Sequence, residues 1–147
     1  MAEPQNYANH TRYVPAYHFV LFGIVFINLI YSLYRFFRYW MQTPGQDGMR
    51  VLIAVALAIF FVYTRQFATT LQDRIIRLEM TLRLEKVLPA DQRPRIKEYT
   101  VGQLIALRFA PDDELPALAA KVLAEKITER KVIKQMIKNW SADNLRV

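Results

Sequence analysis

Between Ala16 and Tyr34 the chain reads AYHFVLFGIVFINLIYSLY, nineteen residues without Lys, Arg, Asp or Glu. That length is close to the roughly 20 apolar residues a helix needs to cross a hydrocarbon core. A cleaved signal peptide is the competing reading. It fits poorly, because the residues ahead hold Glu3 beside Arg12 and the run ends in large aromatics and arginines, not in a small-residue cleavage site.

The exit, YRFFRYW from Tyr34 to Trp40, interleaves Arg35 and Arg38 with aromatic rings. Rings at headgroup depth and guanidinium groups reaching phosphate make such a stretch a membrane boundary, so Arg35, Arg38 and Trp40 are candidate lipid contacts. QTPGQDG over 42–48 then supplies Pro44, Gly45 and Gly48, and a chain reversal is expected there. A second charge-free run, VLIAVALAIFFVYT from Val51 to Thr64, is too short to span alone. It reaches Leu71 if Arg65 snorkels, which is inexpensive near a helix end but costs about 2.5 kcal/mol or more at the bilayer centre. Arg65 and Asn28, the amide deep in the first span, are the candidates for intramembrane polar contact, a role amides in spans commonly fill between helices.

Charge divides the chain. Up to Thr64 only Glu3, Arg12, Arg35, Arg38, Asp47 and Arg50 are charged, whereas 65–147 carries 16 Lys/Arg and 11 Asp/Glu, a net +5 of the total +7. Such a shift marks a domain boundary. Arg35, Arg38 and Arg50 lie on the loop side, against Arg12, Arg65, Arg74, Arg77, Arg83 and Lys86 on the other. The balance tilts both ends to the cytoplasm.

No turn signal follows the second span, so its helix is expected to run on to Lys86 or Val87, ahead of Pro89. Along this extension Leu71, Ile75, Leu78 and Leu82 recur at spacings of 4, 3 and 4 among charged residues. The stripe suits a seam between copies or packing on the chain's own C-terminal helices, and two heptads do not choose. Beyond Pro89, Thr100 and Gln103 form a capping box ahead of Leu104, Ile105, Leu107 and Phe109. Pro111 and Asp112 open a second helix with Leu115, Leu118, Val122 and Leu123 inward, and Thr128 caps a third that buries Val132, Ile133, Met136, Ile137 and Trp140. On that third helix Lys131, Lys134 and Lys138, at i, i+3 and i+7, form a basic stripe. It suits anionic headgroups or plain solvent.

The fold expected is therefore all-α: a tail over 1–15, a transmembrane hairpin over 16–71 (spans about 16–38 and 50–71, turn 42–48), a helical extension over 72–88 and a cytoplasmic bundle over 89–147.

Catalytic chemistry is not in view. There is no cysteine, hence no disulfide, thiolate or cysteine-held metal, and the two histidines, His10 and His18, have no acidic partners in ligand spacing. His18 at a span entry is within reach of porphyrin-type ligation, but an interfacial histidine is the commoner case. Asp112, Asp113 and Glu114 suit a helix start without any metal. No phosphate-binding glycine loop, nucleophile elbow or HExxH occurs, and no aromatic platform for nucleic acid accompanies the basic charge. No enzyme activity, cofactor, metal or nucleic-acid partner is expected.

Five strings carry a resemblance: QNYANHTRY, QDRIIRLEMTLRL, LPADQRPRI, QLIALRFAPDDELPAL and IKQMIKNWSADNLRV. Together they resemble a family of small two-span bacterial membrane proteins known as a domain of unknown function. The resemblance implies a bacterial inner-membrane location and brings no ligand or catalytic residue. The expected role is that of an adaptor or accessory subunit that self-associates or docks on a membrane complex. The alternatives are an anionic-lipid-binding or membrane-shaping module, or an oligomeric channel or transporter component.

Overall fold

The computed structural model describes Asn6, Tyr7, Asn9 and residues 14–142, and all regular structure among these is helical. His10 and Arg12 lie outside the described residues. The chain divides into a unit over Tyr13–Thr69 and a second made of Met1–Arg12 with Thr70–Val147.

The first unit is a helical hairpin. A π-helical segment, Ala16–Leu21, leads into α1, Phe22–Tyr39, and α2 begins at Pro44. The reversal is thus confined to 40–43, earlier and shorter than the 42–48 turn expected. Proline explains the difference. At the first position of a helix its missing N–H costs nothing and its fixed φ is already helical, so Pro44 starts α2 where the sequence suggested a break. Both helices are long and apolar enough to cross a membrane, with only 6% of either apolar stretch buried, which a core helix of a soluble protein would not show. Where they pack, the residues are small or aromatic. Ser32 and Ala54 are buried, and the Tyr17 ring stacks on Phe61 at 4.7 Å while its hydroxyl donates to the Phe61 carbonyl at 2.6 Å.

α2 runs from Pro44 to Val87, 44 residues, or about 66 Å at the usual rise. Its C-terminal turns belong to the second unit and open that unit's core. Ile76, Met80 and Leu84 are buried one turn apart, followed by Leu88 past the helix end. A 3₁₀ turn, Arg93–Glu98, then leads to α3 (Val101–Leu107), α4 (Leu115–Ala124) and α5 (Arg130–Gln135). Leu104, Leu107, Phe109, Leu115, Val122 and Ile133 complete the core.

Local chemistry sets these boundaries. The capping box at α3 is formed as the spacing requires: Gln103 N–H donates to Thr100 Oγ1 at 3.3 Å and Thr100 N–H to Gln103 Oε1 at 2.7 Å. The Gln103 amide also donates to the Ile127 carbonyl at 2.9 Å, tying α3 to the segment before α5. α4 ends with Lys126 at φ 51°, a left-handed residue whose N–H reaches the Leu123 carbonyl at 3.2 Å. Two expectations fail near α5. Thr128 is not its cap; Glu129 precedes the helix and makes no side-chain capping bond. Val132 points outward, and the helix stops at Gln135, so Trp140 reaches the core from irregular backbone, stacked on Phe109 at 4.5 Å. The stop has a cause: the Glu114 carboxylate accepts the backbone N–H groups of Lys138 and Asn139 at 2.9 and 3.1 Å, bonds that an α-helical continuation would have used internally.

Candidate interaction surface

Two surfaces stand out, one in each unit. In the bundle unit, the face of α2 that carries Ile76, Met80 and Leu84 lies about half a turn around the helix from the one that carries Leu71, Ile75, Leu78 and Leu82. The bundle covers the first set. The second stays open: Leu71 is 58% exposed, Ile75 56%, Leu78 63% and Leu82 51%, against 0% for Leu84. Of the two readings of the stripe, packing on the chain's own C-terminal helices is therefore excluded. Charged side chains on every other exposed face of this stretch, from Asp73 to Lys86, belong in water, so the stripe is a band of apolar surface where such surface is costly.

Arg83 fixes the far side of the same helix to the bundle. Its guanidinium donates to Asp112 Oδ1 at 2.6 Å, to the Arg108 carbonyl at 3.1 Å and to the Ala110 carbonyl at 2.7 Å. These carbonyls are orphan acceptors at and beyond the end of α3, so one planar fork satisfies the helix end and docks α2 against it. Asp112 thus serves an ion pair and not a helix cap. At the 3₁₀ turn, Arg95 donates to Glu98 at 3.1 and 3.0 Å and holds its carboxyl below the usual range. Burial pushes the neighbouring Tyr99 phenol up to about 12.

In the hairpin unit the organising group is Asp47. Its side chain is 0% exposed and accepts from Arg35 Nε at 3.1 Å, Arg50 Nη1 at 2.7 Å and Thr43 Oγ1 at 2.5 Å, so α1, the turn and α2 converge on one carboxylate. Sequence reading missed this residue. The signal was present, since Asp47 is the one acid between Glu3 and Asp73 and three arginines flank it. Arg35, expected at lipid headgroups, is drawn inward by this pair. Arg38 remains on the exposed side, 5.6 Å from the Tyr39 ring, and Trp40 packs edge-on to Phe36 at 4.5 Å.

The other candidates are dispersed. Asn28 faces outward from α1 with no hydrogen-bond partner among the described residues, and Arg65 is half-buried on α2. Tyr17 stands opposite Phe61, and Arg35 opposite Asp47, so Asn28 and Arg65 sit at different levels of the hairpin and form no shared polar site. The basic stripe is broken by the early end of α5: Lys131 is exposed, Lys134 lies 5.1 Å over the Phe109 ring, and Lys138 follows the helix in a bend. His18 Nδ1 lies 3.1 Å from the Val14 backbone. Among the described residues no cluster of three His, Asp or Glu side chains is placed to hold a metal ion.

Two long apolar helices and a small C-terminal bundle thus make up one all-helical chain. The chain belongs to the family of unknown function DUF6526. The match runs over residues 1–147, so the hairpin and the bundle are one family unit and not a fusion of two. No curated protein and no solved structure matches it. For this DUF6526 chain, function has to be argued from its own surfaces.

Proposed function

We propose that this chain is a non-enzymatic integral membrane protein of the bacterial inner membrane, with both ends cytoplasmic, that acts as an adaptor or accessory subunit through contact with another polypeptide. The observation that carries this reading is the open Leu71/Ile75/Leu78/Leu82 stripe: four large apolar side chains in one row, outside the core, on a helix whose opposite face the bundle already covers. Burying such a row against a partner returns the free energy lost by holding it in water. Asn28 adds support from the hairpin, because an outward amide in an apolar span finds its hydrogen bonds most readily on another helix. Headgroup binding ranks second, since Arg35 and Lys134 are engaged within the chain.

Crosslinked copurification from native membranes tests the reading. A product containing this chain and at least one further polypeptide, lost when Leu78→Asp places a charge in the middle of the row, is the result expected. Recovery of the uncrosslinked chain alone at every crosslinker length contradicts it.

A further inference from the structure

We propose that the occupant of the Leu71/Ile75/Leu78/Leu82 stripe is a second copy of this chain, paired as a short parallel two-stranded coiled coil in which Arg74 of each copy meets Glu79 of the other. The inference rests on the adaptor reading and names the partner at that surface.

The spacing assigns Leu71 and Leu78 to d positions and Ile75 and Leu82 to a positions of a heptad. Ile at a with Leu at d is the combination that favours two strands in parallel coiled coils; Leu82 is the one departure. The flanking positions then decide direction. Arg74 falls at g and Glu79 at the following e, five residues on, which is the g-to-e′ relation that brings opposite charges together across a parallel seam. An antiparallel seam sets g against g and e against e, leaving Arg74 near Thr81 and Glu79 near Gln72, with no charge pair. Both side chains are exposed, and neither has an ion-pair partner among the described residues, whereas Arg83 in the next turn is spent on Asp112. Copies inserted in one membrane with the same topology necessarily carry this helix in the same direction. The membrane also confines them, raising the effective concentration so that two heptads, too few for a free coiled coil, suffice.

The chain has no cysteine, so single substitutions report cleanly. The test uses the full chain in its native membranes under mild oxidation. Leu78→Cys, at the seam, gives a disulfide-linked species of twice the 17.3 kDa chain mass. Arg77→Cys, pointing away at c, gives several-fold less, because thiols there cannot approach disulfide distance. In the Leu78→Cys background, Arg74→Glu alone and Glu79→Arg alone each lower the linked fraction several-fold, and Arg74→Glu with Glu79→Arg restores it. Leu78 and Arg77 are both exposed, and an unchanged helical circular-dichroism signal verifies that the variants fold. Equal linking at the two positions overturns the seam, and failure of the double reversal to restore linking overturns the parallel register. A mixed disulfide between the Leu78→Cys chain and a different protein overturns the second-copy occupant while the adaptor reading stands. No linked product of any kind removes the second-copy occupant, and the adaptor reading then stands or falls on the crosslinked copurification.

Discussion

The hairpin and the bundle are built inside out relative to each other. In the hairpin the buried side chains include an aspartate and a serine, with two arginines and a threonine converging on the acid, while phenylalanines, leucines and isoleucines cover the outside. In the bundle leucine, isoleucine, methionine and phenylalanine fill the centre and lysine, arginine and glutamate the surface. The same helix, α2, takes part in both. With the hairpin in the membrane, as proposed above, each unit is patterned for its solvent: where hydrocarbon lies outside, apolar burial gains nothing and small residues or satisfied polar groups hold helices together, whereas in water the apolar residues themselves do so. The Leu71/Ile75/Leu78/Leu82 row is the place where the bundle unit breaks its own rule, which is why it carries the functional reading.

The contrast breaks most visibly through core deletion. Leu84→Ala removes a fully buried side chain from the water-facing core and is expected to cost about 2–5 kcal/mol of bundle stability, read as a lower thermal midpoint in detergent. An equally drastic cut at Leu82, two residues earlier, lowers that midpoint much less, because Leu82 lies outside the core and only its share of the proposed seam is lost.

In the hairpin the corresponding element is the carboxylate. Asp47→Asn keeps the shape but takes the charge from between Arg35 and Arg50, and chymotrypsin is expected to cut after Trp40 faster than in the parent, while the bundle midpoint stays put. An unaltered cleavage rate would mean that the aromatic contacts alone hold the turn.

Tyr99 sharpens the comparison further, since its raised pKa reports burial in the bundle. Its folded value of about 12 lies above the usual 10, so the folded state keeps a proton that the unfolded chain releases. Stability from this group is full below pH 10 and is lost as pH rises toward 12. Tyr99→Phe should flatten that part of the pH profile of the thermal midpoint relative to the parent. The smallest effect expected is a gain: Lys126→Gly relieves a left-handed residue at the end of α4 and should add about 1 kcal/mol.

What the sequence disclosed follows from the range of the forces involved. Both apolar spans, the continuous run to Val87 and the Thr100–Gln103 box were legible, because length, absence of charge and a three-residue reciprocal bond are local facts. The turn was misplaced because Pro44 reads equally as a break and as a start, and only its partners in space decide. The contacts of Asp47 with Arg35, Arg83 with Ala110 and Glu114 with Lys138 join residues 12 to 27 apart, and nothing in local patterning signals them. The stripe itself was visible, but its exposure was not. Ile76, Met80 and Leu84 make an equally good apolar row, and which of the two the bundle takes is a tertiary outcome.

If the open row is an interface that the monomer does not need, mass measurement of the full chain in lipid nanodiscs exposes it most directly, with the parent compared against Leu78→Asp. The expected result is an assembly of at least two chains for the parent and a single 17.3 kDa chain for the variant, with the same helical circular-dichroism signal in both. A parent that is already a lone chain would contradict pairing of copies through the row, and a variant that loses its fold together with its partner would contradict an interface the monomer does not need.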